Sequence, residues 1–328
     1  MNNSFKFKTG LVIGKFYPPH RGHKYLIDTA KAQCDELIVI LCWKRSETIS
    51  GYLRADWLRK IHPDVHIKVV EDNKLTDDDS EGWAKFTLEV LGKKPDAVFT
   101  SEDYGDPYAS FMGCAHVLVD RARVTIPISA TMVRKDPLAA APFLEPCVRA
   151  NFSRRVCVLG AESTGTTTLS RDLAKYYKTV WVPEYGRLYS ESKGFGGEEA
   201  RWRSEEFLNI ARMQAMTEDF ITESGNGLVI CDTDPFATSV WHERYVGKAS
   251  KEVDDFSDTR KYDLYIVTGD EIPFVQDGLR DGEHIRHDMH KRFIEKLTQT
   301  NRNFICVSGS PEERLKQAIG AIDQILVK

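Results

Sequence analysis

"GAESTGTTTL", residues 160–169, has the glycine spacing of a phosphate-binding loop but lacks one part of the usual motif. The pattern GxxxxGK[ST] places a lysine directly after its second glycine, where the ammonium group reaches the β- and γ-phosphates of a nucleotide. Gly160 and Gly165 keep their places and Thr167 supplies a hydroxyl for magnesium, but Thr166 stands where the lysine belongs. The main chain of such a loop binds phosphate through its N–H groups, so the stretch still predicts a nucleotide site.

Short apolar runs flank this loop and recur along the whole chain, and they predict β-strands. Helical stretches, notably 23–34 and 82–92, lie between the runs, which is the pattern of parallel α/β domains. The first five strand candidates are GLVIG (10–14), ELIVILC (36–42), HIKVV (66–70), DAVFTS (96–101) and AHVLVD (115–120). The second five are RVCVLG (155–160), TVWVP (179–183), GLVICD (227–232), DLYIVTG (263–269) and NFICVSG (303–309).

The length and one irregular segment predict two domains. A chain of 328 residues is long enough to bury two separate cores. Residues 135–155 contain three prolines and no clean apolar period, and proline interrupts both helices and strands. We therefore place the join in this segment, between an N-terminal domain of residues 1–148 and a C-terminal domain of residues 149–328. A strand followed by a glycine-rich turn opens each half, so two nucleotide sites are expected.

The composition is that of a soluble globular protein, with 41% hydrophobic and 29% charged residues and a formal net charge of −4. The mild acidity argues against a nucleic-acid-binding surface, which usually shows as a basic domain or stripe. No apolar run approaches the ~20 residues of a membrane span, and the opening MNNSFKFKTG has no apolar signal-peptide core. The seven cysteines are scattered without a CxxC pair, which indicates reduced thiols in a cytoplasmic protein.

A second motif, GKFYPPHRGH at residues 14–23, follows the first strand directly. Together with ISATMVR at residues 128–134, it resembles the HxGH nucleotidyltransferase superfamily, which implies a Rossmann-like N-terminal domain. In adenylyl transfer one phosphate attacks the α-phosphate of ATP and pyrophosphate leaves, so positioning and charge stabilisation carry the rate. The resemblance predicts that ATP contacts Gly14, Lys15, Phe16, His20, His23, Ser129, Thr131 and Arg134.

These residues suit different parts of the triphosphate. His20 and His23, at a helix N-terminus, can donate hydrogen bonds to phosphates beside free main-chain N–H groups and the helix dipole. Ser129 is placed to cap a second helix, and Arg134 would clamp the leaving pyrophosphate. Lys15 either faces the transferring phosphoryl group or is a solvated surface lysine.

Three further stretches, VEDN (70–73), EGWAKF (81–86) and TSEDYG (100–105), identify the nucleotide acceptor by resemblance. They are similar to the nicotinamide-mononucleotide (NMN) adenylyltransferase half of bifunctional NadR-type proteins. The resemblance implies that Trp83 lies against the nicotinamide ring, where a cationic ring on an indole face is favourable. A helix core position is the alternative for Trp83. Arg54 matches a phosphate-facing arginine of the family, and an exposed helix arginine is equally open.

The C-terminal half continues the resemblance, because NadR-type proteins append a ribosylnicotinamide kinase. After the loop come PEYGR (183–187), CDTDP (231–235) and QDGLRDGEHIR (276–286), in the expected order. An aspartate at the end of an apolar strand suits a catalytic base or a magnesium ligand, so we expect Asp232 and Thr167 near the metal. The loop residues expected on ATP are Gly160, Ala161, Glu162, Ser163, Thr164, Gly165, Thr166 and Thr167. The riboside contacts implied by the resemblance are Glu184, Tyr185, Arg187, Asp232 and Asp234, each with a surface or ion-pair position as its alternative.

The sequence departs from the family at two places. The family often has an aromatic residue before the matched glutamate, stacking on nicotinamide, and this sequence has Pro183 there. The ring sandwich must then come from Trp181 or Tyr185, or be absent. Some family members carry a helix-turn-helix repressor segment before the first strand, which this sequence does not show, so we expect no sequence-specific DNA binding.

The missing lysine leaves two interpretations of the C-terminal half. In the first, another cation replaces it, and Arg280 and Arg286 on a glycine-punctuated segment could close over the phosphates as a lid. In the second, the half is a nucleotide-sensing module that binds without transferring, for which Thr166 is the best argument.

The resemblance as a whole predicts an α/β protein with a Rossmann-like nucleotidyltransferase domain followed by a P-loop kinase domain. The expected function is NAD salvage: ATP-dependent phosphorylation of nicotinamide riboside to NMN, then adenylyl transfer to NMN giving NAD⁺, both with Mg²⁺. The alternative function is that of a different nucleotidyltransferase fused to a different small-molecule kinase. Trp83 and PEYGR argue against this alternative. The sequence leaves the oligomeric state open, a homo-oligomer included, as well as the acceptance of nicotinic-acid analogues.

Overall fold

The computed structural model describes residues 6–71, 75–76, 78–193, 202–278, 280 and 282–327, and these form two units. The first unit is Met1–Asn151 and the second is Phe152–Lys328. The boundary lies after residue 151 rather than after 148, because a short helix at Pro146–Asn151 contacts a helix of the first unit.

The first unit is built on a parallel five-stranded sheet in the order β3-β2-β1-β4-β5. The strands are β1 (Phe7–Gly14), β2 (Cys34–Trp43), β3 (His66–Glu71), β4 (Ala97–Thr100) and β5 (Ala115–Leu118). The helices are α1 (Arg21–Lys31), α2 (Gly51–Ile61), α3 (Ser80–Leu91), α4 (Gly105–Met112), α5 (Ala130–Lys135) and α6 (Pro146–Asn151).

Both faces of this sheet are covered, which explains why its strands are continuous apolar runs. Val12 of β1 packs into the core that includes Ile27 of α1 and Leu58 of α2. Its neighbour Leu11 points to the opposite face and packs into the core that includes Ala84 of α3. The chain leaves β1 toward β2 on one side and returns through β4 on the other, so the sheet has its switch point at the carboxyl end of β1.

The second unit is also built on a parallel five-stranded sheet, with the order β10-β9-β6-β8-β7. Its strands are β6 (Arg154–Leu159), β7 (Val180–Val182), β8 (Leu228–Asp232), β9 (Leu264–Thr268) and β10 (Phe304–Val307). Its helices are α7 (Thr166–Tyr176), α8 (Tyr185–Lys193), α9 (Ser204–Thr222), α10 (Pro235–Val246), α11 (Lys251–Asp258), α12 (Arg286–Gln299) and α13 (Pro311–Leu326), with a 3-10 turn at Glu283–Ile285. The phosphate-loop sequence therefore leaves the central strand, β6.

All ten strand candidates are strands, with ends that differ by a few residues. The segment 135–155 is more regular than expected, because it contains a 3-10 turn at Ala141–Phe143 as well as α6. Pro142 and Pro146 lie in the first turns of these elements, where a missing N–H breaks no helical hydrogen bond. In the part of the chain described here, no helix has the length and apolar character needed to cross a membrane.

Candidate active sites

The HxGH motif connects the end of β1 to the start of α1. His20 lies directly before α1 in an extended conformation, and its Nδ1 accepts the main-chain N–H of His23 at 3.3 Å. The two imidazole rings stack with their centroids 3.7 Å apart, and Phe16 packs edge-on against His23. Since Nδ1 of His20 is an acceptor, Nε2 carries the proton and is the donor.

Burial keeps both imidazoles uncharged. Loss of hydration, and then the charge of Arg123, lowers the pKa of His20 to about 4. The pKa of His23 lies well below its usual value, because the ring is enclosed and has His20 and Arg123 beside it. Nδ1 of His23 is buried and finds no hydrogen-bond partner among the described residues. A neutral pair of this kind can offer N–H groups to phosphate oxygens at neutral pH without first gaining a proton.

A cavity of about 650 Å³ lies at the carboxyl end of β1. A second cavity of about 200 Å³ adjoins it and shares His23 and Thr131 with it. Together the two cavities are lined by all the residues expected around ATP and by Trp83, one of the two residues expected around NMN. The larger cavity is lined by Gly14, Lys15, Phe16, His23, Trp83, Thr131 and Arg134, and the smaller one adds His20 and Ser129.

Arg134 is held against the wall of the larger cavity by Tyr17, which sequence reasoning missed. Its guanidinium stacks on the Tyr17 ring at 4.6 Å from the centroid, and its Nη1 donates to the Tyr17 carbonyl. Nη2 donates to Thr131 Oγ1 at 3.2 Å. Ser129 caps α5 as expected, its hydroxyl accepting the Met132 N–H at 3.2 Å.

Neither expectation for Arg54 fits the structure. The side chain is fully buried and lies outside both cavity walls, so it is neither a phosphate-facing nor an exposed arginine. Its guanidinium pairs with Glu47 and donates to the Lys15 carbonyl at 2.8 Å, and it also stacks on the Tyr17 ring at 4.8 Å from the centroid. Arg54 therefore supports the cavity floor through Tyr17 and the main chain of Lys15.

Trp83 lies on α3 in the wall of the larger cavity, and it also packs against the apolar core. Its indole N–H donates to the Thr76 carbonyl at 2.9 Å, which fixes the ring orientation. The two expectations for this residue, cavity wall and helix core, are thus both part of its environment. Asp72 and Asn73 of the VEDN stretch lie outside the described residues.

In the second unit, residues 160–165 wrap around the start of α7. Gly165 adopts φ +83°, and a Cβ added at Gly160 would lie 2.2 Å from Thr268 Oγ1, so this loop needs both glycines. Thr164 is buried and joins the loop to β9, with its Oγ1 2.6 Å from Thr268 Oγ1. The loop forms one wall of a cavity of about 170 Å³.

Two carboxyl groups face this cavity from neighbouring strand ends. Asp232, the last residue of β8, accepts hydrogen bonds from the Thr167 and Thr166 hydroxyls, and burial raises its pKa to about 6. Glu184, directly before α8, has its pKa raised to about 8, first by burial and then by the charge of Asp232. At neutral pH the first is largely ionised and the second is largely protonated.

Asp232 and Thr167 fit the magnesium site expected of them. They offer the oxygen ligands that Mg²⁺ prefers, and a divalent cation would favour the ionised carboxylate that burial opposes. Across the described residues, no group of three or more His, Cys, Asp or Glu side chains is arranged to hold a metal ion. The pair therefore suits an ion that takes its other ligands from nucleotide phosphates and water.

Asp234 does not reach the cavity, which corrects its expected place at the ribose hydroxyls. The side chain has no exposed surface. One carboxylate oxygen caps α10 by accepting the Ala237 N–H at 2.8 Å, and the other accepts the Tyr265 hydroxyl at 2.8 Å. Both oxygens are committed to the fold, so Asp234 is a structural residue.

The aromatic wall of this cavity also differs from expectation. Trp181 stacks on Arg171 at 4.4 Å, and neither Trp181 nor Tyr185 lines the cavity. The Tyr185 main-chain N–H is instead bound by Gln214 Oε1 at 2.8 Å. Four aromatic side chains that sequence reasoning missed form the wall: Trp202, Phe207, Trp241 and Tyr245.

The two expected lid arginines have different positions. Arg280 lines the cavity, whereas Arg286 does not. Arg286, the first residue of α12, is buried and donates from Nη2 to the Ser163 carbonyl at 3.2 Å, so it supports the loop from behind. Leu279 and Asp281, their neighbours in the same landmark, lie outside the described residues.

Family models match each half of the chain. A cytidylyltransferase-like model matches residues 11–136, and an AAA-domain model matches residues 155–314. The trifunctional NAD biosynthesis/regulator protein NadR of Escherichia coli K12 is 32% identical over 324 residues, covering 91% of this chain and 78% of that protein. The protein of the same description from Salmonella typhimurium LT2 is 31% identical with the same coverage.

Two solved structures share the arrangement of elements. A crystal structure of NadR protein in complex with NR has a TM-score of 0.79 at 22% identity, covering 98% of this chain and 97% of that one. A second, in complex with NAD and AMP-PNP, has a TM-score of 0.77 at 21% identity with the same coverage. At this identity the likeness establishes the fold, and the sequence relatives establish the family. The chain belongs to the NadR family and is an enzyme that joins a nucleotidyltransferase to a kinase.

Proposed function

We propose that the first unit transfers AMP from ATP to NMN, giving NAD⁺ and pyrophosphate, and that the second phosphorylates nicotinamide riboside to NMN. The observation that carries the proposal is the larger cavity of the first unit, whose wall combines His23 and Arg134 with an indole, Trp83. Phosphate-binding groups and a surface for a cationic ring are what an NMN adenylyltransferase needs in one place. The NR and NAD bound in the two related structures agree with these substrates.

In the first reaction a phosphate oxygen of NMN forms a bond to the α-phosphorus of ATP while the bond to the β-phosphate oxygen breaks. The neutral imidazoles of His20 and His23 donate N–H groups to the phosphate oxygens, where charge accumulates in the transition state. Arg134 binds the departing pyrophosphate. Mg²⁺, when bound with ATP, would neutralise part of the phosphate charge.

In the second reaction the 5′-hydroxyl of the riboside attacks the γ-phosphorus of ATP, and ADP leaves. Asp232 accepts the hydroxyl proton, because at neutral pH it is ionised while Glu184 is largely protonated. Glu184 is then a hydrogen-bond donor for a ribose oxygen. The aromatic wall, which includes Trp202 and Trp241, suits the cationic nicotinamide ring through cation–π attraction.

The test is to incubate the purified protein with ATP, Mg²⁺ and nicotinamide riboside and to follow NMN and NAD⁺. The wild type should form both. His23→Ala should accumulate NMN, whereas Asp232→Asn should form NAD⁺ only when NMN is supplied. Failure to convert supplied NMN would overturn the first half of the proposal, and failure to phosphorylate the riboside would overturn the second.

A second candidate for the C-terminal unit is a nucleotide-binding module without transfer, which the threonine at position 166 favours. ATP binding without riboside phosphorylation in wild type, together with phosphorylation by Thr166→Lys, would establish it. The absence of sequence-specific DNA binding and a cytoplasmic location stay predictions of the sequence, and the oligomeric state stays open.

A further inference from the structure

The cavity beside the phosphate loop is rich in carboxyl groups and has few cations. Glu162, Glu184 and Asp232 line it, and among the described lining residues only Arg187 and Arg280 carry a permanent positive charge. A phosphoryl group carried into this cavity would meet three acidic side chains. The charge that the loop lysine normally supplies must therefore come from one or both of these arginines.

Three other arginines near the loop do not line the cavity. Arg286 donates to the Ser163 carbonyl, and Arg314 donates to the Thr164 carbonyl at 2.7 Å while pairing with Glu271. Arg244 pairs with Glu162 at 3.0 Å. These three guanidinium groups hold the loop in shape or neutralise its acidic residue.

Arg187 reaches the cavity from the first turn of α8, three residues after Glu184. Its Nη2 pairs with Asp277 at 2.9 Å and its Nε with Glu191 at 2.9 Å, while Nη1 makes no hydrogen bond within the described residues. Asp277 also pairs with Nε of Arg280 at 3.4 Å. One carboxylate thus holds both guanidinium groups at the cavity wall.

Arg187 lines the same cavity as Glu184 and Asp232, so its guanidinium charge faces the place where the phosphoryl group would be transferred.

We propose that Arg187 is a catalytic residue that supplies, from α8, the positive charge missing from position 166 of the phosphate loop. The assignment rests on the proposed kinase function and replaces the riboside contact expected from the sequence. In the transfer, the riboside oxygen bonds to the γ-phosphorus, the bond from γ-phosphorus to the β-phosphate oxygen breaks, and the proton goes to Asp232. The Nη1 group of Arg187, which is not engaged by Asp277 or Glu191, donates to the γ-phosphate oxygens, and the guanidinium charge stabilises the transition state.

Double substitution separates this role from a riboside contact. Arg187→Ala should lower kcat for riboside phosphorylation by about 10²–10³ with little change in the KM for riboside. Thr166→Lys alone should change kcat by only a few-fold. In the Arg187→Ala background, Thr166→Lys should restore at least about tenfold, because a lysine there places its charge on the same phosphoryl group.

Two controls keep the result interpretable. Adenylylation of supplied NMN by the same variants reports on the integrity of the protein, and Arg212→Ala, on the exposed side of α9, should behave as wild type. Arg187→Lys keeps the positive charge but lacks the planar set of guanidinium N–H donors, so it should retain more activity than Arg187→Ala. It replaces the alanine variant in the test if that variant does not fold.

The outcomes distinguish the two proposals. A wild type that cannot phosphorylate the riboside refutes the kinase function itself. An active wild type with a normal kcat in Arg187→Ala, a defect confined to riboside KM, or no rescue by Thr166→Lys refutes the assignment of Arg187 alone.

Discussion

The two candidate sites bury ionisable groups of opposite kind. Burial lowers the pKa of His20 to about 4 in the first unit, and it raises the pKa of Asp232 to about 6 and of Glu184 to about 8 in the second. The cause is the same, since removal from water disfavours whichever form is charged. The consequence differs, because a neutral imidazole is already a donor, whereas a carboxyl group must ionise before it can accept a proton or bind a metal. Burial alone therefore keeps the imidazoles of the first site in the neutral form that donates to phosphate. The carboxyl groups of the second site need nearby cations to favour their ionised form.

The largest expected effect is that of His23→Ala on adenylyl transfer. Losing one N–H donor to the transferring group should lower kcat by about 10²–10⁴, or roughly 3–5 kcal/mol of transition-state stabilisation. NMN affinity and riboside phosphorylation should change little. Steady-state kinetics with supplied NMN measures the first effect, and His66→Ala, exposed at the start of β3, is a matched control. Near-normal turnover would remove His23 from the mechanism.

Arg280→Ala should have the next largest effect, and only on the second unit. The side chain lines the phosphate-loop cavity beside Arg187, so its loss should lower riboside phosphorylation by at least about 10² while NMN adenylylation stays intact. Measuring both reactions in one preparation provides the control. Equal losses in the two reactions would show that the two units are not chemically independent.

Tyr17→Leu should reduce adenylyl transfer by a smaller factor. The ring stacks with the guanidinium groups of both Arg54 and Arg134, and such a contact contributes about 1 kcal/mol or slightly more, so kcat/KM for ATP should fall about tenfold. Tyr17→Phe keeps the ring and loses the two hydrogen bonds of the hydroxyl with Thr48, to Oγ1 at 2.6 Å and from the main-chain N–H at 2.9 Å, so it should cost roughly two- to threefold. Equal defects in the two variants would assign the effect to the hydroxyl rather than to the ring.

The sequence predicts the strands well because each is buried on both faces and therefore reads as an apolar run. It predicts the positions of Asp232 and His23 at the cavities for a related reason, since a strand end at a switch point determines where the next few side chains lie. Asp234 was misplaced, although a signal was available: an aspartate directly before a proline is a helix N-cap followed by its first residue. That pattern predicts an aspartate committed to its own helix, as the structure has it.

Other features had no local signal. Arg54 is buried because Glu47 and the ring of Tyr17 surround its charge, and these contacts exist only after folding. The aromatic wall of the second cavity is assembled from three parts of the chain, with Trp202 before α9, Phe207 on α9 and Trp241 on α10. Residues brought together by tertiary packing of this kind have no fixed spacing to detect.

The smallest expected effect is on the pH dependence of the free energy of unfolding, which should differ between the two sites. Glu184 has a folded pKa of about 8 against about 4.5 when unfolded, so its contribution is complete below pH 4.5 and is lost as the pH rises to about 8. The histidines act oppositely: because their folded pKa is lowered, the first unit loses stability as the pH falls below 6.5.

Glu184→Gln removes the first of these effects while keeping the shape of the side chain. Without nucleotide or Mg²⁺, the wild type should lose stability between pH 6.5 and 8.5 relative to the variant, so the variant's calorimetric transition should lie on the order of a few degrees higher at pH 8.5. Asp232, with its pKa at about 6, and Glu218, with its pKa at about 7, also titrate in this range, but both are present in wild type and variant. Glu205→Gln, exposed on α9, should leave the pH dependence unchanged. Parallel curves for wild type and Glu184→Gln would mean that Glu184 is already ionised in the folded protein, and the contrast between the two sites would then rest on Asp232 alone.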